Sequence, residues 1–206
     1  EPAAFDGARP SLRREIAAGL RFVGREPSLR AIAACTSVTN LFAQIAFATF
    51  MVFEVRELGM DPATIGIVMG LGSLGGVAGA AMSSRLGARL GVGRTIVGAA
   101  VLEVLALLLA ALATPRTAVP LLIASGMVAG FCAVVYNVNQ LSYRQAITPA
   151  AMRGRMNATM RFLVWGTIPV VALIGGAIAT VAGPREAIWV GAAGVAVAWI
   201  PLRSEE

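Results

Sequence analysis

The sequence predicts an all-α membrane protein with six transmembrane helices, and three observations support that fold class. Hydrophobic residues make up 57% of the 206 residues and only 14% are charged, whereas about 25% of the residues of a soluble domain are charged. Six apolar runs are each long enough to cross about 30 Å of hydrocarbon as a helix. Short polar or basic segments separate these runs. A chain of this kind is expected to lie in a lipid bilayer.

The predicted spans divide the chain into a linker at residues 1–28 and a transmembrane domain at residues 29–203. The spans cover residues 29–53, 63–82, 94–113, 118–142, 155–182 and 185–202. In the linker, Leu12, Ile16 and Leu20 recur at helical spacing on one face, which predicts an amphipathic cytoplasmic helix on the membrane surface. The alternative is a surface helix that packs on protein.

The positions of the arginines predict the orientation of the spans. With the N-terminus and the loop at 143–154 in the cytoplasm, fourteen of the 17 basic residues lie on the cytoplasmic side, and Arg56, Arg116 and Arg185 lie on the other. Because cytoplasmic loops are enriched in Arg and Lys, both termini are predicted to be cytoplasmic. The net charge of +6 is then explained by topology and anionic lipid, and no nucleic-acid partner is expected.

The residue types that are missing exclude several classes of activity. The chain contains no histidine, so a Ser-His dyad, a His-ligated metal and a His general base are excluded. Cys35 and Cys132 both lie in apolar runs, where small thiols commonly serve as packing residues. We therefore expect neither an enzyme nor a bound metal or organic cofactor.

Polar side chains concentrate on the first and fourth spans. Ser37, Asn40 and Gln44 share one face of the first span, and Asn137 and Gln140 share one face of the fourth. The order polar, glycine-bearing, bland occurs twice along the chain. This order predicts a 3+3 inverted repeat in which the first and fourth helices line a substrate path. The alternative is that these amides hold neighbouring helices together.

Glu103 is the one acidic residue that lies away from the ends of a predicted span. A carboxylate at that depth is unfavourable unless it is protonated or paired, so Glu103 is the candidate for proton coupling. The alternative is a neutral or paired carboxyl that bridges neighbouring helices. Phe47 and Trp165 are expected to add apolar contacts to the substrate path.

Glycines in the second span fit two motifs. Gly70, Gly72 and Gly75 match the dinucleotide-binding pattern G-x-G-x-x-G, but they lie inside an apolar run with no strand before them. The same run contains Gly72-x-x-x-Gly76 and Gly75-x-x-x-Gly79. Small residues at that spacing let membrane helices approach closely, and this second interpretation is preferred.

One basic segment resembles a family signature. The segment Ser84-Arg-Leu-Gly-Ala-Arg89 is similar to the cytoplasmic signature loop of the major facilitator superfamily. Arg85, Gly87 and Arg89 match the signature, and Ser84 stands where the family usually has an aspartate. A substitution of this kind is what the weaker second copy of the signature would show.

A second resemblance lies further along the chain and points to a subgroup of the same family. The matching segments resemble bacterial exporters near the enterobactin-exporter and macrolide-efflux group, and they are Arg144-Gln-x-x-Thr-Pro149, Arg153-Gly-Arg155, Trp165-Gly166 and Pro169. The resemblance implies the C-terminal six-helix half of a twelve-helix transporter in a bacterial inner membrane, driven by a proton gradient. The first helix here would then be the family's seventh.

That resemblance also implies partners and a gate. A six-helix half needs its N-terminal half, or a homodimer partner, to enclose a central cavity for a small-molecule substrate. Arg144, Arg153, Gly154 and Arg155, with the signature residues Arg85, Gly87 and Arg89, are expected to form cytoplasmic gate contacts. The alternative is that these arginines only set the topology.

Two functions stay open at the level of sequence. The first is half of a secondary transporter that exports small amphipathic molecules, such as drugs or siderophores, by alternating access. The second is a non-transporting membrane sensor or assembly module on the same fold.

Overall fold

The structure is a computed structural model that describes residues 21, 24, 25, 27–166 and 168–197. Most of the predicted amphipathic helix and the end of the sixth predicted span lie outside the described residues. Within them, the chain forms seven α-helices and no strand. The helices are α1 (Pro27–Val52), α2 (Pro62–Leu90), α3 (Val92–Ala111), α4 (Ala118–Ile147), α5 (Arg153–Trp165), α6 (Ile168–Val181) and α7 (Pro184–Val197).

Two short elements extend this pattern. A π-helical turn at Phe53–Glu57 continues α1, and a 3₁₀ turn at Ala150–Met152 precedes α5. Four segments of the described chain are long and apolar enough to cross a membrane, and they are Thr36–Glu57, Pro62–Leu90, Val92–Ala111 and Ala118–Ile147. The helix α6 is apolar but shorter.

The fifth predicted span, 155–182, corresponds to two helices. α5 ends at Trp165 and α6 begins at Ile168. Pro169 explains the break, because proline has no N–H to donate and its ring clashes with the carbonyl four residues earlier, which is that of Trp165. One continuous helix over 155–182 is therefore not what the structure describes, and the count of six spans stays a prediction.

The prediction of a loop at Ser84–Arg89 was wrong. The structure places Arg85, Gly87 and Arg89 in the last turns of α2, which continues to Leu90. The 29 residues of α2 extend about 43 Å at 1.5 Å per residue, which exceeds the hydrocarbon thickness of about 30 Å. The helix therefore continues beyond the apolar run, and Gly91, with φ of +84°, ends it.

Asp61 caps the start of α2. Its Oδ1 accepts hydrogen bonds from the backbone N–H of Ala63 at 3.0 Å and Thr64 at 3.1 Å, and its Oδ2 accepts from the Thr64 hydroxyl at 2.6 Å. The bonds from the Thr64 hydroxyl and backbone, more than that from Ala63, lower the pKa of this exposed carboxyl. Because the folded pKa is lowered, the cap stabilises the helix above the unfolded pKa and is lost as the pH falls through the folded one.

Close glycine packing joins α2 to α4. A Cβ built on Gly72 would come within 3.2 Å of the Gly126 Cα, and one on Gly79 within 2.8 Å of the Phe131 carbonyl oxygen. At Gly75 the added Cβ would overlap the Met127 carbonyl. These two helices form the most extensive helix contact in the described chain, as predicted from the small-residue spacing.

A second glycine-mediated contact holds α1 against α6 and α7. A Cβ on Gly175 of α6 would meet the Ile45 carbonyl at 3.0 Å, and one on Gly191 of α7 would meet the Phe42 carbonyl at 2.9 Å. The remaining large contacts join α3 to α4 and α3 to α7. The helices α1 and α4 therefore take their main partners from different sides of the bundle.

Arg185 ties three helix ends together at what is called here the Arg185 end of the bundle. Its guanidinium forms an ion pair with Glu57, donates to the Ala111 carbonyl, and donates to the Ala113 carbonyl at 2.8 Å. It also lies 5.0 Å from the centroid of the Phe53 ring. These contacts link the start of α7 to the ends of α1 and α3. The last carbonyls of α3 carry the negative end of its helix dipole, which attracts a cation.

Replacing Gly75 tests the glycine packing. In Gly75→Ala the new methyl overlaps a backbone carbonyl that cannot rotate away, so we expect a loss of about 1–3 kcal/mol from overpacking. Gly70→Ala is the matched control, since a Cβ there meets nothing within 4 Å and the gain in helix propensity is the same. The measurement is the thermal unfolding of both variants in detergent. Equal melting temperatures would contradict the packing.

Candidate functional site: two cavities that meet at Glu103

The first cavity, called the Glu54 cavity, lies between α1, α2, α3 and α4 and measures about 560 Å³. Its wall is mostly apolar, with polar groups from Gln44, Ser73 and Ser125. Two carboxylates, Glu54 and Glu103, complete it, and no arginine of the described chain lines it. The residues at its mouth come from α1 and α2 and are strongly exposed, and they are Phe47, Met51, Met69 and Ser73.

The second cavity, called the Tyr136 cavity, measures about 440 Å³ and lies on the other side of Glu103. Helix α1 contributes Asn40, and α4 contributes Tyr136 and Asn137. Trp165 and Ile168 come from the two helices of the fifth predicted span. This wall is richer in amides and hydroxyls than that of the Glu54 cavity.

Glu103 and Gln44 line both cavities, together with Ala43. Glu103 lies on α3, and it is the one titratable side chain that the two walls share within the described chain. A carboxylate at such a junction can bind a proton or donate a hydrogen bond, depending on its protonation state. Glu103 and Gln44 therefore stand where the two cavities adjoin.

A hydrogen-bonded cluster at the wall of the Tyr136 cavity, called the latch, joins α1 to α4. The hydroxyls of Thr36 on α1 and Tyr136 on α4 lie 2.6 Å apart, and the Gln140 amide donates to the Thr36 hydroxyl at 2.7 Å and to the Tyr136 hydroxyl at 3.3 Å. These are neutral hydrogen bonds between α1 and α4, which otherwise pack against other helices. The latch is defined as Thr36, Tyr136 and Gln140.

A second contact near the latch joins α2 to α4. The Asn139 amide donates to the Ser83 hydroxyl at 3.0 Å and to the Val135 carbonyl of its own helix at 2.9 Å. A Cβ on Gly87 would overlap the Asn139 side chain. The glycine of the signature-like segment therefore makes room for this buried amide, which is a physical reason for a glycine at that position.

The arginines expected at the gate lie at the same end of the bundle, called here the Tyr136 end. Arg144 is partly buried, and its Nε is buried without a hydrogen-bond partner among the described residues. Arg153 donates from its Nε to the Thr148 carbonyl at 3.2 Å. Arg155 donates from its Nη1 to the Met152 sulfur at 3.9 Å. Arg85, Arg89 and Gly154 are exposed. None of these contacts tests the gate prediction.

The structure distributes the predicted path residues over three places. Asn40, Gln44, Asn137 and Trp165 line the Tyr136 cavity. Gln140 is buried in the latch, which is the interhelical role that the sequence left open. Ser37 lines neither cavity. Phe47 lines the Glu54 cavity, where it is 73% exposed at the mouth.

Sequence reasoning missed Glu54, Thr36 and Tyr136. The predicted first span ends at residue 53, which leaves Glu54 in a connection, whereas the structure buries it. Its position two residues before Arg56, and therefore on the opposite face of a helix, was the available signal. Thr36 and Tyr136 pair across 100 residues, and no local pattern indicates that pairing. Within the described residues, no group of three His, Cys, Asp or Glu side chains could hold a metal ion.

Comparison with known protein families gives a match. The family model described as Major Facilitator Superfamily matches residues 33–205, which covers every described helix from the first turns of α1 onward. A search of curated proteins finds no match.

Replacing Thr36 tests the latch. Thr36→Val removes the hydroxyl that bonds both Tyr136 and Gln140, and the buried thiol of Cys132 on the cavity wall can report opening when Cys35 is replaced by Ala. Loss of two bonds of about 0.6 kcal/mol each in a membrane bundle predicts a roughly three- to tenfold faster alkylation of Cys132 by N-ethylmaleimide.

Thr39→Val is the matched control for this measurement. Thr39 lines the same cavity, but its buried hydroxyl has no hydrogen-bond partner among the described residues. The same chemical change should therefore leave the alkylation rate of Cys132 unchanged. Equal rates in Thr36→Val and Thr39→Val would contradict a closing role for the latch.

Proposed function

Because the chain belongs to the major facilitator superfamily, a family of membrane transporters, we propose that it is half of a proton-coupled exporter of small amphipathic molecules that works by alternating access. The observation that carries this proposal is the pair of cavities that meet at Glu103. A membrane-embedded carboxyl between two spaces that are large enough to hold water can exchange a proton with each of them in turn.

Helix packing supports the 3+3 inverted repeat of the proposal. Under an exchange of α1 with α4, of α2 with α5 and α6, and of α3 with α7, each large helix contact maps onto a large helix contact. The contact of α2 with α4 becomes that of α5 and α6 with α1, and the contact of α3 with α4 becomes that of α7 with α1. The contact of α3 with α7 maps onto itself. In such repeats, substrates bind where the two repeats meet.

The exposed mouth of the Glu54 cavity supports the proposal that a partner covers this side of the half. Phe47, Met51 and Met69 are at least 65% exposed on α1 and α2, and together they border a space that the described helices leave partly open. In the proposal, the N-terminal six-helix half of the transporter covers this mouth, and the lipid bilayer surrounds α3 and the outer faces of the other helices. A homodimer partner is the alternative cover.

The cavities support a small amphipathic substrate. Ligand pockets typically measure about 300–1,000 Å³ and combine apolar walls with a few polar groups, and both cavities fall within that range. The amides of Asn40, Gln44 and Asn137 donate and accept hydrogen bonds without fixed charge. Phe47 and Trp165 offer aromatic surface to the apolar part of the substrate. Macrolides and siderophores are the first compounds to test, on the resemblance alone.

The proton cycle of the proposal uses Glu103. When deprotonated, its carboxylate lies in a bilayer without a cation on either cavity wall, which is unfavourable. Protonation removes that charge and lets the half move from one open state to the other. The latch then opens the Tyr136 cavity to the cytoplasm, where the proton leaves and the substrate enters.

Replacing Glu103 tests the function. In everted vesicles that hold the full-length protein, Glu103→Gln should reduce proton-driven accumulation of the probes erythromycin, enterobactin or ethidium by about tenfold or more. Equilibrium binding of the same probe should change less than about twofold, because Gln keeps the shape and the hydrogen bonds of the carboxyl. Glu186→Gln, an exposed carboxylate in the first turn of α7, is the matched control.

Two outcomes of this experiment contradict the proposal. Full accumulation in Glu103→Gln would show that the carboxyl is structural. A wild-type protein that carries none of the probes under a proton gradient would favour the non-transporting sensor or assembly module.

Labelling of single cysteines tests the proposed orientation. Cysteines at Ala88 and Ala150, both exposed at the Tyr136 end, should react only with reagents that reach the cytoplasm, whereas a cysteine at Ala182, exposed at the Arg185 end, should react from outside. Each is measured in intact cells with a membrane-impermeant maleimide, in a protein without Cys35 and Cys132. Reaction of position 150 from outside would overturn the orientation.

A further inference from the structure

Glu54 is a buried carboxylate that the sequence placed outside the membrane. Its side chain is 3% exposed, and its Oε1 has no hydrogen-bond partner among the described residues. It lies in the π-helical turn Phe53–Glu57, an element that often occurs at functional sites in helices. A buried, unsatisfied carboxylate is strongly unfavourable as an ion, so it requires either a proton or a partner.

The charges around Glu54 do not supply that partner. On its own turn, Arg56 is exposed, and Glu57 forms an ion pair with Arg185. From α7, Arg185 uses its donors on Glu57 and on the carbonyls at the end of α3, and Glu186 is exposed. The cavity residues from α2 and α4 are uncharged. From α3, the one ionisable group on the cavity wall is Glu103.

Glu54 and Glu103 share one water-accessible space. Gln44, which lines both cavities as Glu103 does, precedes Glu54 by ten residues, or about 15 Å along the helix axis. Glu54 therefore lies about half a hydrocarbon thickness nearer the Arg185 end than the junction of the cavities. A cavity of about 560 Å³ can hold a chain of water molecules, each of which occupies about 30 Å³ in the liquid.

We propose that Glu54 is a second proton site, which takes up a proton at the Arg185 end and passes it through water in the Glu54 cavity to Glu103. In this step an O–H bond breaks at Glu54 and one forms at Glu103, so one proton moves and no electrons are transferred. Glu54 returns to its carboxylate form and is recharged from the outer water. The inference rests on the proposed function, since Glu103 is the acceptor.

The first experiment needs no substrate. Infrared difference spectra of the full-length protein in lipid, recorded between acid and alkaline buffer, report the carboxyl C=O band of every buried carboxyl that gains or loses a proton. We expect one component of this band to disappear in Glu54→Gln and a different one in Glu103→Gln. A Glu54 component that does not change with pH would identify a permanently protonated packing group and would overturn the proposal.

The second experiment tests transfer between the two carboxyls. In proteoliposomes, with a probe that the wild type carries, Glu54→Gln should lower proton-driven accumulation by about tenfold or more, while exchange of labelled for unlabelled probe without a gradient stays within about twofold. Exchange needs no net proton movement, so a merely structural defect would lower both rates. Glu54→Asp should recover part of the accumulation.

Glu186→Gln is the matched control, because Glu186 is an exposed carboxylate at the same end of the bundle and does not line the cavity. Normal accumulation in Glu54→Gln with loss in Glu103→Gln would overturn the relay and leave the proposed function intact. Normal accumulation in both variants would contradict the proposed function as well. Parallel loss of accumulation, exchange and thermal stability in Glu54→Gln would assign Glu54 to packing and overturn the relay.

Discussion

The close approach of α2 and α4 is the contact on which the rest of the bundle depends. In a bilayer, lipid tails are as apolar as the side chains, so helices associate through van der Waals contact and hydrogen bonds. Gly72, Gly75 and Gly79 bring the α2 backbone against that of Gly126, Met127 and Phe131. Once α4 is held there and α1 is held by α6 and α7, the space between α1 and α4 is left to the cavities.

The two ends of this space are closed by different chemistry. At the Arg185 end, an ion pair with Glu57 and charge-assisted bonds to the Ala111 and Ala113 carbonyls join three helices. At the Tyr136 end, Thr36, Tyr136 and Gln140 form neutral hydrogen bonds. Charge-assisted bonds are roughly twice as strong as neutral ones. The carboxyls of Glu54 and Glu103 line the space between these two ends.

The sequence predicted the helices well where a long apolar run meets few charges, as in α3 and the body of α4. It failed at run ends, because hydropathy marks where lipid stops and backbone hydrogen bonding marks where a helix stops. Arg85 and Arg89 are too polar for hydrocarbon but still form the last turns of α2. Glu54 shows the converse error, since the predicted first span ends one residue before it although burial places it on a cavity wall.

By itself, the sequence determined that the chain is membrane-embedded and helical, which polar residues share a helix face, and which glycines permit close approach. Composition and periodicity are local properties, and they are sufficient for those conclusions. Only the tertiary structure decided which faces meet: Gln140 finds Thr36, which lies 104 residues earlier, and Glu103 lies between two cavities. The physical reason is that lipid solvates an apolar helix equally well at any rotation about the helix axis. The rotation of each helix is therefore set by its packing against the other helices.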